Sequence, residues 1–422
     1  MARHLEVWLL EVHMGTLTQV DGRLSFAYAP GVTSPLSQSL PIQAEPFDDR
    51  ASRPFFAGLL PEGPKRKQIA KTLQVSAQND YALLDSLGGE CAGAVTLLEP
   101  THRPQAWDVL RDVRWLDQAQ LLQVLDEMPL RPMRAGDEGL RLSLAGAQDK
   151  LPVVLDADGI RIGLPLNGSP STHILKPPIA GVDGSVFNEA FCMALAAALK
   201  LDVAACEIQR VSERPYLLVA RYDRAALGQR LHQEDFCQAL GVVSEHKYQN
   251  EGGPGLAQAF ALLRSATRPS APNTLKLLDC VVFNALIGNH DAHGKNFSLL
   301  YTPAGAVLTP LYDALCTAVY PTLTDKMVMK IGSSYKFSQL QARHWAQFAT
   351  EAALSPAQVK RRIVDIAKRL PDLAHAVQTA FEIEGNSHPI IDQIVTLIAQ
   401  RCALTIRRLT APQADDPASE SD

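Results

Sequence analysis

The sequence predicts an α+β chain with a β-rich N-terminal unit, a mixed β/α middle and a mostly helical C-terminal part. Three observations lead there. Short apolar runs flank an Asp21-Gly22 turn near the start. Strand-like and helix-like segments alternate from Leu140 to Tyr222. From Thr274 onward long stretches carry apolar residues at helical spacing. At 422 residues the chain exceeds what one hydrophobic core usually supports, so two or three packed units are expected.

The elements follow in order. Leu5 to Val12 is an apolar run, and Thr16–Val20 and Arg23–Tyr28 flank Asp21-Gly22 as a hairpin. Pro30 to Pro41 is too rich in Pro and Ser to be regular. PFFAGLLPEGPKRKQIAKTL reads as a turn feeding a short helix, and Asp80–Leu87 as a helix closed by Gly88-Gly89. Arg103 to Gly139 is richer in charge and Pro, and a boundary is expected near its end. RLSLAGAQDKLPVVLD reads as strand, Gly-containing loop, strand; THILKPP is a short strand stopped by two prolines. In Ser185–Lys200, Phe187, Phe191, Leu195 and Leu199 recur every four residues, as on one helix face. PYLLVARYDR is a buried strand running into a polar turn. Thr274–Ile287 is an apolar helix that Gly288 should end. Phe297–Tyr301 and Ala306–Leu308 form a hairpin. From Ser355-Pro356, a good N-cap and first-turn pair, the chain should be helical to about Leu409. The units expected are 1–135, 136–222 and 223–410, with an acidic, apolar-poor tail over 411–422 expected to be disordered.

Hydrophobic residues make up 46% and charged residues 20%, as in soluble globular proteins, and the net charge of −5 offers no overall field for nucleic acid or an anionic membrane. The seven cysteines lie far apart without a CxxC pair. That pattern fits reduced, buried thiols in a cytoplasmic protein better than a disulfide framework or zinc ribbon. The N-terminus does not read as a signal peptide, and no apolar run approaches the roughly 20 residues needed to cross a bilayer.

The stretch carrying chemistry is GNHDAHGKNFSLL, residues 288–300. Asp291 and Asn296 stand as D-x-x-x-x-N between an apolar helix and a strand, and Asp313 follows the next hairpin. Phosphoryl transfer needs a carboxylate to take the proton of the attacking hydroxyl, and hard oxygen ligands to hold Mg²⁺ against the phosphates. Asp291 suits the first role, Asn296 and Asp313 the second. Upstream, the small residues of Ala145-Gly146-Ala147-Gln148-Asp149-Lys150 let backbone N–H groups approach an anion. Lys176 ends a strand ahead of the helix bearing Glu189, a pairing that kinases use at the α/β-phosphates. Ala220, Arg221 and Tyr222 end a strand whose backbone would read an adenine edge. Ligation of a catalytic metal by His290, Asp291 and His293 stays open as a rival.

These residues resemble the HipA family of bacterial serine/threonine kinases, the toxin members of type II toxin–antitoxin pairs. PFFAGLLPEGPKR, RLSLAGAQDK, HILKPP, FNEAFCMALA, ARYDR, HQEDFCQALG, KYQNEGGPG, NHDAHGKNFSLL and LTPLYDAL carry the likeness in order over roughly residues 5–330. The resemblance implies a bilobal protein-kinase-like fold using ATP and Mg²⁺. It makes Asp291 the proton acceptor, Asn296 and Asp313 metal ligands, Ala145–Lys150 the phosphate loop, Lys176 the phosphate lysine and Glu189 its support. Ala220–Tyr222 becomes the adenine hinge, and His293, Gly294, Lys295 and Asn296 close over the nucleotide. Ser143 matches an autophosphorylated serine whose modification ejects the loop and abolishes ATP binding. The implied partners are a protein substrate, an aminoacyl-tRNA synthetase, and a helix-turn-helix antitoxin of the HipB type, with DNA reached only through that complex and no membrane. Two other functions fit the same residues: a small-molecule kinase, and an antitoxin-binding co-repressor with secondary catalysis.

Overall fold

A computed structural model describes residues 3–104, 112–225 and 229–411. Strands β1 (Arg3–Leu9), β2 (Val12–Val20) and β3 (Arg23–Tyr28) form a meander. The second strand starts earlier than the sequence implies, because Leu10 takes a positive φ of 55° and turns the chain before Val12. Pro30–Pro41 is irregular, as expected. The next segment departs from the reading of a turn and one short helix. Helix α1 (Asp49–Gly58) begins at an Asp48 cap that accepts from Ala51 N and runs through Pro54. After a bend, α2 (Gly63–Thr72) starts with Pro64 in its first turn, where a missing N–H costs nothing. Helix α3 (Asp80–Leu87) and strand β4 (Val95–Leu98) complete this unit, in a sheet ordered β3-β2-β1-β4. Its core holds Phe26, Phe55, Phe56 and Leu84, all fully buried.

Strand β5 (Val113–Trp115) and helix α4 (Gln118–Glu127) lie in the charge-rich stretch that the sequence left without elements. Leu140–Leu144 is not a strand of any sheet. It makes one parallel bridge, Leu142 to Glu90, because Ser143 N is taken by Glu90 O at 2.9 Å. Then follow β6 (Leu151–Leu155), β7 (Ile162–Pro165), β8 (His173–Lys176), helix α5 (Ser185–Ala198), β9 (Cys206–Val211) and β10 (Arg214–Ala220). The strands form a six-stranded sheet ordered β5-β7-β6-β8-β10-β9, which therefore draws in β5 from upstream. Nearly all of α5 is buried, so it joins this sheet to the helices beyond.

Strand β11 (His232–Asp235) and the one-turn α6 (Phe236–Ala239) lead to α7 (Leu256–Ala266) and α8 (Ser270–Ile287). The expected hairpin is present as β12 (Ser298–Thr302) and β13 (Gly305–Leu308), extended to three strands by β11. After β14 (Lys326–Ile331), β15 (Ser334–Lys336) and α9 (Ala342–Glu351), the helical end is two helices, α10 (Pro356–Ile383) and α11 (Pro389–Thr410). Gly385, with a positive φ, breaks them apart. Ser355 caps α10 through Gln358 N, as its sequence position indicates. By length and composition α11 is apolar enough to cross a bilayer, but it packs one face on α10, α8 and α5. All seven cysteines are unpaired and six are buried. The expected disorder over 412–422 lies outside the described residues.

Candidate active site

The N-terminal unit, the six-stranded sheet and the helical part meet around a cleft of about 1500 Å³, counting space open to solvent. Its floor is the segment between α8 and β12. Gly288 ends α8 in the left-handed region at φ 80°, and a Cβ there would stand 2.7 Å from Ala318 Cβ. The loop that follows is pinned by its own side chains: Asp291 N donates to Asn289 Oδ1 at 3.1 Å, and His293 N to Asn296 Oδ1 at 3.1 Å. Gly294 is required by packing, since a Cβ would meet Cys237 Sγ at 2.8 Å.

Asp313 returns to this loop after the hairpin, as its position in the sequence indicates. It adopts φ 58°, a conformation that Asp tolerates better than most residues. Its Oδ2 accepts from Asn296 Nδ2 at 2.9 Å and its Oδ1 from Lys176 Nζ at 2.6 Å. Lys176 Nζ also donates to Glu189 Oε1 at 2.6 Å. The strand-end lysine, the helix glutamate, the post-hairpin aspartate and the loop asparagine thus form one connected chain of contacts. Burial alone would raise the Asp313 carboxyl and lower the Lys176 ammonium. The attraction between opposite charges outweighs it, holding Asp313 well below the carboxylate range and Lys176 above its ordinary value. Asn296 and Asp313 are adjoining hard-oxygen donors, a set that suits Mg²⁺ completed by phosphate oxygens.

Asp291 opens to the same cleft but is crowded by protein atoms. That crowding pushes its pKa up to about 6, against the pull of Lys247 and with a further push from Asp313. The rival metal set does not assemble. His290 Nδ1 is engaged with Thr324 O at 3.1 Å and its other nitrogen faces Arg401. Among the described residues no three His, Cys, Asp or Glu side chains group to hold a metal. His293 is buried neutral, pushed down to about 3 by burial, and its Nδ1 has no hydrogen-bond partner.

Ala145, Gly146, Ala147, Gln148 and Lys150 line the cleft. Gly146 has φ 113°, and a Cβ there would lie 2.7 Å from Lys150 Nζ. Burial brings the Lys150 ammonium down to about 8. The loop is clamped by the bend between α1 and α2: Glu62 N donates to Gly146 O at 3.1 Å, and Lys65 Nζ to Asp149 at 2.7 Å. Asp149 is thereby held by a lysine of the N-terminal unit. Ser143 is fully buried, its hydroxyl donating to Leu59 O at 2.7 Å.

In the segment expected to read an adenine edge, Ala220 N and Arg221 N are committed to Ala205 O and Thr172 O, at 2.8 and 3.0 Å. An adenine edge there is left with the Tyr222 N–H and the carbonyls. The Arg221 guanidinium reaches Glu90 at 3.0 Å and Asp223 at 2.7 Å, which makes it a bracing group. Lys295 lines the cleft, but its ammonium is engaged by protein groups. Its Nζ donates to Asp235 at 2.7 Å and to Ser244 and Gly58 O at 3.2 Å each, which spends all three ammonium hydrogens. Sequence reasoning missed Glu62 and Lys247 as cleft residues. The clue was their place in PEGPKR and KYQNEGG, two polar turn segments that no spacing rule connects.

Fold and site together define a two-lobed α+β protein of the protein-kinase kind. The model of the HipA N-terminal domain matches residues 5–98, that of the HipA-like C-terminal domain matches residues 142–374, and the chain belongs to the HipA family. It is 49% identical over 376 residues to Y4mE of Sinorhizobium fredii, provisionally named a kinase, covering 86% of this chain and 89% of that one. It is 28% identical over 422 residues to the serine/threonine-protein kinase toxin HipA of Shewanella oneidensis, covering 93% and 95%. The solved complex of Shewanella oneidensis HipA with HipB and operator DNA matches with a TM-score of 0.82 at 25% identity, over 96% of this chain and 98% of that one.

Proposed function

We propose that this chain is an ATP- and Mg²⁺-dependent protein serine/threonine kinase toxin with Asp291 as its catalytic base. The observation that carries the reading is the junction at Lys176, which touches buried Glu189 and Asp313 while Asn296 holds the other Asp313 oxygen, with Lys176, Asn296 and Asp313 on the cleft that Asp291 enters. Lys150 and Lys176 supply positive charge for the phosphates of ATP, and the Gly146 loop supplies backbone donors. Asn296 and Asp313 are the residues to hold the metal, which when bound neutralises charge on the phosphates. Asp291 takes the proton of the substrate hydroxyl. The hydroxyl oxygen bonds to the γ-phosphorus as the bond to the bridging oxygen breaks, and ADP leaves with that electron pair. A base with pKa about 6 is matched to this task near neutral pH.

Ser143 is the proposed self-inactivation site. Phosphorylation adds about −1.5 to −2 charge, which the buried pocket beside Leu59 has no room to solvate, so the modified loop leaves the cleft. By family likeness the protein substrate is an aminoacyl-tRNA synthetase. The relative solved with HipB and operator DNA supports a helix-turn-helix antitoxin as partner, with DNA reached through it. Radiolabelled ATP added to a whole lysate tests the substrate class: labelled protein bands support a protein kinase, and label in small products alone rejects it. Asp291→Ala should cut the protein label by at least roughly 10²-fold; equal labelling rejects the base.

A further inference from the structure

Among the described residues, Glu62 is the carboxylate that the N-terminal unit sends into the cleft. Its place is fixed from behind, since its own N–H donates to Gly146 O. Its Oε2 accepts from Lys247 Nζ at 2.9 Å. Its Oε1 is buried 3.7 Å from Lys295 Nζ without a hydrogen-bond partner. The two lysines facing it are not equivalent. Lys295 has its three hydrogens spent elsewhere. Lys247 lines the cleft, and among the described residues only Glu62 accepts from it, which leaves two donors over. The next residue, Tyr248, lies 5.6 Å from the His293 ring, and its hydroxyl is pushed up by burial and by the nearby charge of Asp291. The Lys247-Tyr248 step therefore stands on the side of the cleft where the base works.

We propose that Lys247 acts on the charge transferred at this site, and that Glu62, from the N-terminal unit, is its positioning residue. This rests on the kinase reading. As the phosphorus passes from the bridging oxygen to the hydroxyl oxygen, negative charge spreads over the oxygens between them. The spare Lys247 donors meet that charge, and Glu62 holds the flexible four-carbon stem in place so that no reorganisation is needed at the moment of transfer. The N-terminal unit is then part of the catalytic apparatus as well as a scaffold.

The test uses full-length chains carrying Ser143→Ala as enzyme and a chain carrying Asp291→Ala, with Ser143 intact, as acceptor. Keeping the acceptor constant removes any effect of the variants on release of their own loop. Lys247→Met should lower the maximal rate by about 10²-fold with half-saturating ATP unmoved, and Lys247→Arg should recover most of it. Glu62→Gln should lower the rate about tenfold, again with ATP affinity unmoved. The double variant should be no slower than Lys247→Met alone, because Glu62 acts through Lys247. Unfolding midpoints and direct nucleotide binding identify any variant that fails to fold, in which case Glu62→Asp and Lys247→Gln replace it. Multiplicative losses, an unmoved rate, or a loss that appears only as weaker ATP binding overturn the proposal. If Asp291→Ala kills transfer while Glu62→Gln and Lys247→Met are silent, this inference alone falls; an inactive parent chain sinks the kinase reading with it.

Discussion

Two clusters of charge adjoin residues 220–223, and they are built to opposite ends. In the first, Glu90 takes Arg221 at 3.0 Å, Ser171 Oγ at 3.2 Å and Arg224 as well. Asp223 takes Arg221 at 2.7 and 2.9 Å and Gly93 N at 2.8 Å. Every charge there has partners. In the second, Lys150 is half-buried without a hydrogen bond among the described residues, His293 Nδ1 and Glu62 Oε1 are unpaired, and the Asp313 side chain is 42% exposed to the cleft. The saturated cluster braces the N-terminal unit against that segment. The unsaturated one leaves its unused valences at the cleft. Incomplete pairing of buried charge, more than charge itself, separates site from scaffold here.

The contrast is sharpest in what each cluster does when one carboxylate is removed. Glu90→Ala leaves Arg221 and Arg224 buried with Asp223 alone as a shared carboxylate, and should destabilise the fold by about 3–5 kcal/mol in denaturant titration. A loss under about 1 kcal/mol would mean the cluster is not the brace described. Asp313→Asn should instead reduce phosphate transfer by about 10²-fold and make nucleotide binding indifferent to Mg²⁺. Its cost to stability should be the smaller of the two, because water screens the exposed face of the pair. A variant that unfolds as readily as Glu90→Ala would erase the distinction.

Acid separates the clusters by smaller steps. The Asp291 base is lost to protonation below about pH 6, so transfer should fall about tenfold per unit below that point in a pH–rate profile. Glu90 and Asp223 are held below the usual carboxylate range, where arginines outweigh burial. Their contribution to stability is therefore present above the unfolded value of about 4 and is lost as pH falls through their lower folded values. A profile flat through pH 6 would remove Asp291 from the rate-limiting proton transfer.

Much of this was legible in the sequence, and what was not has a physical reason. The D-x-x-x-x-N stretch, the returning Asp313 and the Lys176–Glu189 pair lie within local elements whose ends Gly288, the hairpin and two prolines mark. The structure brings these residues together. Helix α1 was not foreseen because Pro54 reads as a breaker. Yet residues ahead of Pro54 supply the first turn, and the Asp48 cap fixes where it starts. The roles of Arg221 and Lys295 could not be read, since their partners lie far off in sequence, Glu90 at a separation of 131 and Asp235 at 60. Glu62 and Lys247 are 185 residues apart, and only the fold makes them neighbours.

The most direct measurement is mass spectrometry of Ser143 in the chain as expressed and in its Asp291→Ala variant. The account predicts a phosphate on Ser143 in the first and none in the second, with both chains folded and the unphosphorylated Asp291→Ala chain binding nucleotide. Equal Ser143 phosphorylation in the two would contradict it.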